Sequence, residues 1–291
     1  PSDALQSSAS RTPEYRVADP TPLAEARRAR ARILAAAGGL DAALASGVLP
    51  RRGDMTVSEA LVLGLLRQGV SKFLVVLGHG STEVGEVLRL YAEAGLVRVF
   101  AMRSEVSASH AAAALRWTTG EKAAVVTSIG PGALQAGAAS LVASSDGLGV
   151  WYLVGDETTE DEGYNMQQVP RPGQHQFLRV FETLGSAYTL HTPGALPTAL
   201  RRGLNAVDRP YRAGPFFLLM PMNVQGAPIA GFNLDELPSG APPRLAAARD
   251  DGAYDRAVDA ILSARKVVVR AGGGARDAGY ELEDFLGLAD V

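Results

Sequence analysis

Two stretches decide how this chain folds: Arg103-Ser104-Glu105-Val106-Ser107-Ala108-Ser109-His110-Ala111-Ala112-Ala113, and Val125-Val126-Thr127-Ser128-Ile129-Gly130-Pro131-Gly132-Ala133. Each contains a junction where an apolar run gives way to an alanine-rich helical pattern. Val97 to Ala101 is a predicted strand, and Glu105 opens a predicted helix to Thr118. Ala123 to Thr127 is the next strand, and the Gly130-Pro131-Gly132 turn leads into a helix over 132–144. Strands that alternate with helices imply a mostly parallel sheet covered on both sides. Such sheets bind ligands at the carboxyl ends of their strands. Glu105 and the glycine-proline turn both stand at such ends.

The same rhythm extends in both directions. Ser58 to Gln68 reads as an amphipathic helix, with Val57, Ala60, Leu61 and Leu65 on one face. Phe73 to Leu77 is a strand that runs into the turn Gly78-His79-Gly80-Ser81, and a helix follows over 84–94. Val150 to Val154 is another strand. A long polar segment follows over 156–175, and loops of that length are usually functional or mobile. Helical and strand patterns resume through Phe216-Phe217-Leu218-Leu219-Met220. The predicted fold class is α/β, a doubly wound, mostly parallel sheet followed by the start of a second α/β domain.

The domain organisation expected from composition has four parts. Residues 1–53 form a Ser/Pro-rich tail and an Arg/Ala-rich helix over 22–46, whose arginines read as a solvated face. Residues 54–225 form the main domain. Residues 226–250, rich in Pro, Ala and Gly, read as a linker. Residues 251–291 form an incomplete second domain: a helix over 254–263, a strand over 266–270, the turn Ala271-Gly272-Gly273-Gly274-Ala275-Arg276 and a helix to Leu286. The chain stops where the next strand is expected.

Bulk properties narrow the function. The 291 residues suffice for one large domain or two ordinary ones. A formal net charge of -3 gives no electrostatic reason to expect a nucleic-acid or membrane partner. The absence of cysteine excludes disulfides and thiolate chemistry and fits a cytoplasmic protein. No apolar run reaches the roughly 18 residues of a membrane helix, and no signal-peptide pattern opens the chain.

The motifs carry the chemistry. An acid at a helix start can simply favour the macrodipole; partly buried among Ser, Val and Ala, Glu105 could instead give or take a proton. Ser128 to Ala133 is either a tight strand-to-helix turn or a place where backbone approaches a ligand closely. It is not a Walker loop. His79 reads as a site residue or as a turn histidine bonded to backbone. His79, His110, His175 and His191 show no metal-ligand spacing, so no metal site is assigned. Gly272-Gly273-Gly274 lacks a full dinucleotide fingerprint. No nucleophile elbow is present.

Taken in order, Met55-Thr56-Val57-Ser58-Glu59-Ala60, Gly78-His79-Gly80, Glu105 with Ala111-Ala112, Thr127 to Ala133, Gln167-Gln168, Gly214-Pro215 and Gly272 to Ala275 resemble one family. It is the acetolactate synthase-like group of thiamine diphosphate enzymes, through their pyrimidine-binding domain. The likeness covers residues 54–225, with the opening of that family's middle domain over 251–291. The Gly-His-Gly turn, the Ser-Ile-Gly-Pro-Gly-Ala form and the paired glutamines are most similar to trihydroxycyclohexanedione hydrolase. Gln135 stands where the family often has Asn.

The resemblance implies roles. Glu105 would hydrogen-bond N1′ of the cofactor's aminopyrimidine and so activate the thiazolium carbon. Gly78, Thr127, Ser128, Gly130 and Gly132 would bind the cofactor. His79 and Gln168 would face a small-molecule carbonyl substrate as polar donors. The reaction would make or break a C–C bond beside a carbonyl, as a carboligating transferase or lyase, or open a cyclic 1,2-dione by hydrolysis. FAD in the middle domain is a weaker implication. The family holds the diphosphate through Mg²⁺ with Gly-Asp-Gly and a downstream Asn. Here Gly155-Asp156 with Asn165 is the nearest approach, too closely spaced, with Glu157 in place of the second glycine. The diphosphate and Mg²⁺ ligands are therefore expected on a partner subunit, in a hetero-oligomer built on a dimer. A non-catalytic regulatory subunit is the remaining alternative.

Overall fold

The structure is a computed structural model that describes residues 21–160, 162–164, 166–171, 173–210, 212–242, 251–276 and 278–288. The expected tail over 1–20 and the expected end at 289–291 lie outside the described residues, as do 243–250 of the expected linker.

Two helices come first, α1 (Thr21–Ala37) and α2 (Leu40–Ala45), separated by Gly38 and Gly39, both with positive φ. Strand β1 (Arg52–Thr56) leads into α3 (Val57–Arg67). Then follow β2 (Val70–Val76), α4 (Thr82–Glu93), β3 (Arg98–Ala101), α5 (Glu105–Thr119), β4 (Lys122–Thr127), α6 (Pro131–Ala139), α7 (Leu141–Ser145) and β5 (Val150–Asp156). Beyond the long loop lie α8 (Gln176–Phe181), β6 (Ser186–Thr189), α9 (Leu196–Val207), β7 (Pro215–Pro221), α10 (Met222–Gln225) and β8 (Pro228–Asn233). Helices α11 (Asp251–Ser263) and α12 (Gly279–Leu288) complete the described chain.

Six strands form one parallel sheet in the order β3-β2-β4-β5-β7-β6. Its strands read as continuous apolar runs because both faces are buried. The period of two divides each run between two cores. Phe73, Val126, Trp151, Leu153, Phe216 and Leu218 face the core shared with α1, α2, α3, α4 and α9. Leu74, Val125, Tyr152, Val154, Phe217 and Leu219 face the core shared with α5, α6, α7 and α8. Tyr152 and Phe181 stack on Phe217 at 4.7 and 4.6 Å. On the opposite face Trp151 meets Phe216 edge-on at 5.1 Å. The doubly wound α/β fold follows from this two-sided burial.

Three expectations are corrected. First, the described part of 226–250 is not a linker. β8 pairs antiparallel with β1, and Phe232, Leu234 and Leu237 are buried. Apolar residues spaced among Pro and Gly supply a ladder that composition alone hides. Second, the arginines of α1 are not all a solvated face. Arg27 is 3% exposed and bonds Thr56 and Glu83, while Arg30 donates to Glu59 at 2.5 Å. Glu59 is fully buried and also accepts from the Tyr91 hydroxyl at 3.1 Å, so two cations and a phenol satisfy it. Third, residues 266–270 form no strand. Val268 and Val269 are exposed, and no neighbouring strand offers a ladder.

Candidate active site

Glu105 is the first residue of α5, yet it does not cap that helix. Ser104 holds the N-cap, and its Oγ accepts the Ser107 N–H at 3.2 Å. The Glu105 carboxylate is instead 8% exposed and lies against the bare backbone of Gly132, in the first turn of α6. A Cβ at Gly132 would stand 2.5 Å from Glu105 Oε1 and 3.4 Å from Cδ. No described residue donates a hydrogen bond to this carboxylate. Both glycine identity at 132 and serine identity at 104 therefore serve the placement of one acid.

The turns after β2 and β4 are bound to each other. The Ser128 hydroxyl donates to the His79 carbonyl at 2.9 Å, and the Ile129 N–H donates to the same oxygen at 3.2 Å. A side chain at Gly78 would crowd Ser128, with its Cβ 3.1 Å from both Cβ and Oγ. Thr127 is buried, and its hydroxyl donates to the Ser128 carbonyl at 2.9 Å. Gly130 has φ +62°, a region that strains residues with a Cβ. A Cβ there would also lie 2.5 Å from the Gln168 carbonyl oxygen. The Gln168 backbone, itself at φ +60°, thus closes over the glycine-proline turn while its side chain stays exposed. Glu105, Gly132, Ser128, Gly78, His79, Gly130 and Gln168 form one connected cluster at the carboxyl ends of the strands. Gln135 is exposed and lies outside it.

Two acids joined to this cluster were read from sequence only as part of a polar loop. Asp156 ends β5 and is 8% exposed; its Oδ1 accepts the Glu157 N–H at 3.0 Å. Burial pushes its carboxyl up to about 6, and the neighbouring Glu157 charge adds to the rise. Glu157 is 2% exposed. Its Oε1 accepts the Gln167 N–H at 2.8 Å and stands 3.4 Å from His79 Nε2. The sequence held one signal for these residues, namely acids directly after a buried strand.

The remaining candidates separate from the cluster. His110 is exposed, with Nδ1 2.8 Å from the Val106 carbonyl oxygen in its own helix. Gly273 to Ala275 form a short 3-10 turn with no strand before it, so a dinucleotide turn lacks its usual platform. Among the described residues no group of three or more His, Asp or Glu is arranged to hold a metal ion. Asn165 lies outside the described residues.

Residues 55–177 match the family model described as "Thiamine pyrophosphate enzyme, N-terminal TPP binding domain". This match supports a thiamine diphosphate-dependent enzyme family. The parallel sheet and its flanking helices are an α/β fold consistent with the pyrimidine-binding domain of that class. No curated protein matches the chain. No helix of the described chain is long and apolar enough to cross a membrane. The cluster fits the aminopyrimidine end of the cofactor: three bare glycines leave a cradle that a Cβ would fill, and a buried carboxylate faces it without a partner. The described residues do not fit the diphosphate–Mg²⁺ end, because they hold no metal-ligand group.

Proposed function

We propose that this chain supplies the cofactor-activating half of a thiamine diphosphate-dependent enzyme that makes or breaks a C–C bond beside a carbonyl. The observation that carries this reading is Glu105. Its carboxylate is buried against Gly132 and has no structural task, because Ser104 performs the capping. A regulatory subunit that had lost catalysis would need neither that acid nor the glycine that seats it.

When bound, thiamine diphosphate supplies a nucleophilic carbon and an electron sink for carbonyl chemistry. Glu105 holds a proton at N1′ of the aminopyrimidine. Gly130 and Gly132 let the ring lie close to backbone, and Ser128 locks the turn after β4 to the turn after β2. His79 stands on the substrate side as a polar group for a carbonyl or alkoxide oxygen. Gln168 shapes that side through its backbone over Gly130. The diphosphate and Mg²⁺ are held by a segment outside these 291 residues, which we assign to a partner subunit in a hetero-oligomer. The acidic His79–Glu157 corner supports the second reading, hydrolytic opening of a cyclic 1,2-dione, since that outcome needs a proton-transfer group beside the carbonyl carbon.

Calorimetric titration with thiamine diphosphate and Mg²⁺ tests the division of the site. The chain alone is expected to show no magnesium-dependent binding and to gain it with its partner. Tight, magnesium-dependent binding by the chain alone would end the split-site reading.

A further inference from the structure

His79 and Glu157 come from different strand ends, yet they meet beside the glycine cradle. The Glu157 side chain is 3% exposed, so its carboxylate is withdrawn from water and needs partners. One partner is the Gln167 N–H at 2.8 Å. The other facing group is the His79 ring, whose Nε2 is fully buried, lies 3.4 Å from Glu157 Oε1 and has no hydrogen-bond partner. At that distance and alignment the contact falls short of a hydrogen bond. Apo active sites often hold such pairs long, and they tighten when a ligand closes the site.

We infer that Glu157 is a positioning residue that holds His79 with the proton on Nε2 and leaves Nδ1 as the ring nitrogen presented to the substrate. Nε2 can satisfy its burial only through Glu157. The His79 side chain as a whole is 31% exposed, so the accessible part of the ring lies away from that acid. Its carbonyl is already fixed by Ser128 and Ile129, so the backbone cannot swing to relieve the ring. Through Gln167, the same carboxylate anchors the loop that carries Gln168 over Gly130. Glu157 thus couples the tautomer of one substrate-facing group to the placement of another. The arrangement follows the general pattern of an acid that orients a histidine. It rests on the proposed function only in giving Nδ1 a substrate to meet.

The test uses ¹⁵N NMR of the histidine ring in the full chain, without cofactor, at a pH where the ring is neutral. In the unmodified chain the two His79 nitrogens are expected at the limiting shifts of a single Nε2–H tautomer. Glu157→Leu is expected to draw the two shifts together as the tautomers mix. If Glu157→Leu fails to fold, Glu157→Ala gives the same readout. Limiting shifts that stay in place in the folded variant would overturn the inference. Glu105→Gln is expected to leave the His79 shifts unchanged, so a failure of the cofactor reading and a failure of this one are separately visible.

Discussion

Replacing Asp156 with Asn should stabilise the fold at neutral pH, and the gain should vanish in acid. Asp156 closes β5, and burial raises its carboxyl from the usual 3.8 to about 6. The Glu157 N–H, which its Oδ1 accepts at 3.0 Å, opposes that rise without cancelling it. The folded value lies above the unfolded one, so the native state binds more protons between about pH 4 and pH 6. Stability therefore falls as pH rises through that window. Above it the charged form costs up to roughly 3 kcal/mol, on the scale of about 1.4 kcal/mol for each tenfold change in proton affinity. Asn keeps the acceptor for the Glu157 N–H and removes the charge. Urea denaturation of both proteins from pH 3.5 to pH 8 measures the difference, in which the other titrating groups largely cancel. The curves should nearly coincide below pH 4, with Asp156→Asn more stable by up to about 3 kcal/mol at pH 8. Parallel curves across the whole range, or a wild type that is the more stable at pH 8, would refute the burial argument.

Gly132→Ala places a Cβ 2.5 Å from Glu105 Oε1, so the carboxylate must retreat by about 1 Å, and a misplacement of that size costs on the order of 100-fold in turnover. Steady-state kinetics of the enzyme assembled with this chain check it; unchanged kcat would mean that the acid is not used where it stands. Gly203→Ala drives a Cβ into the Trp151 indole, which is fully buried, and should cost about 1–3 kcal/mol or more in chemical denaturation. Arg27→Ala leaves Glu59 with only Arg30 and Tyr91, and should cost about 3–5 kcal/mol. Hydrogen exchange in α1 should rise with it; protection equal to wild type would show that the helix is held by its apolar face alone.

Much of the central sheet was legible because its strands are buried on both sides. Two-sided burial demands apolar residues without interruption, and Val125-Val126 or Phe216-Phe217-Leu218-Leu219 cannot readily be read otherwise. The same logic misleads at Val267-Val268-Val269, where the composition of a strand exists without a partner to pair with. Long-range pairing was invisible: β1 and β8 stand far apart in sequence, and Arg51 meets Asp235 at 2.6 Å only once the chain has folded. Buried charge was equally hidden. Arg27 and Arg30 look like any solvated arginines until Glu59, inside a good helical capping pattern, proves to be turned toward them. At the site, Glu105 and the glycine turn announced themselves by position at strand ends. Glu157 did not, because only the fold removes one acid of a polar run from water and sets it against His79.

The central claim is that Glu105 activates a bound thiamine diphosphate. Its most direct test is the exchange rate of the cofactor's C2 hydrogen with deuterated solvent, followed by quench and NMR in the assembled enzyme. Glu105→Gln should slow that exchange by orders of magnitude while the fold and the His79 ring shifts stay as they are. Exchange at the wild-type rate in a folded, cofactor-bound Glu105→Gln enzyme would contradict the account.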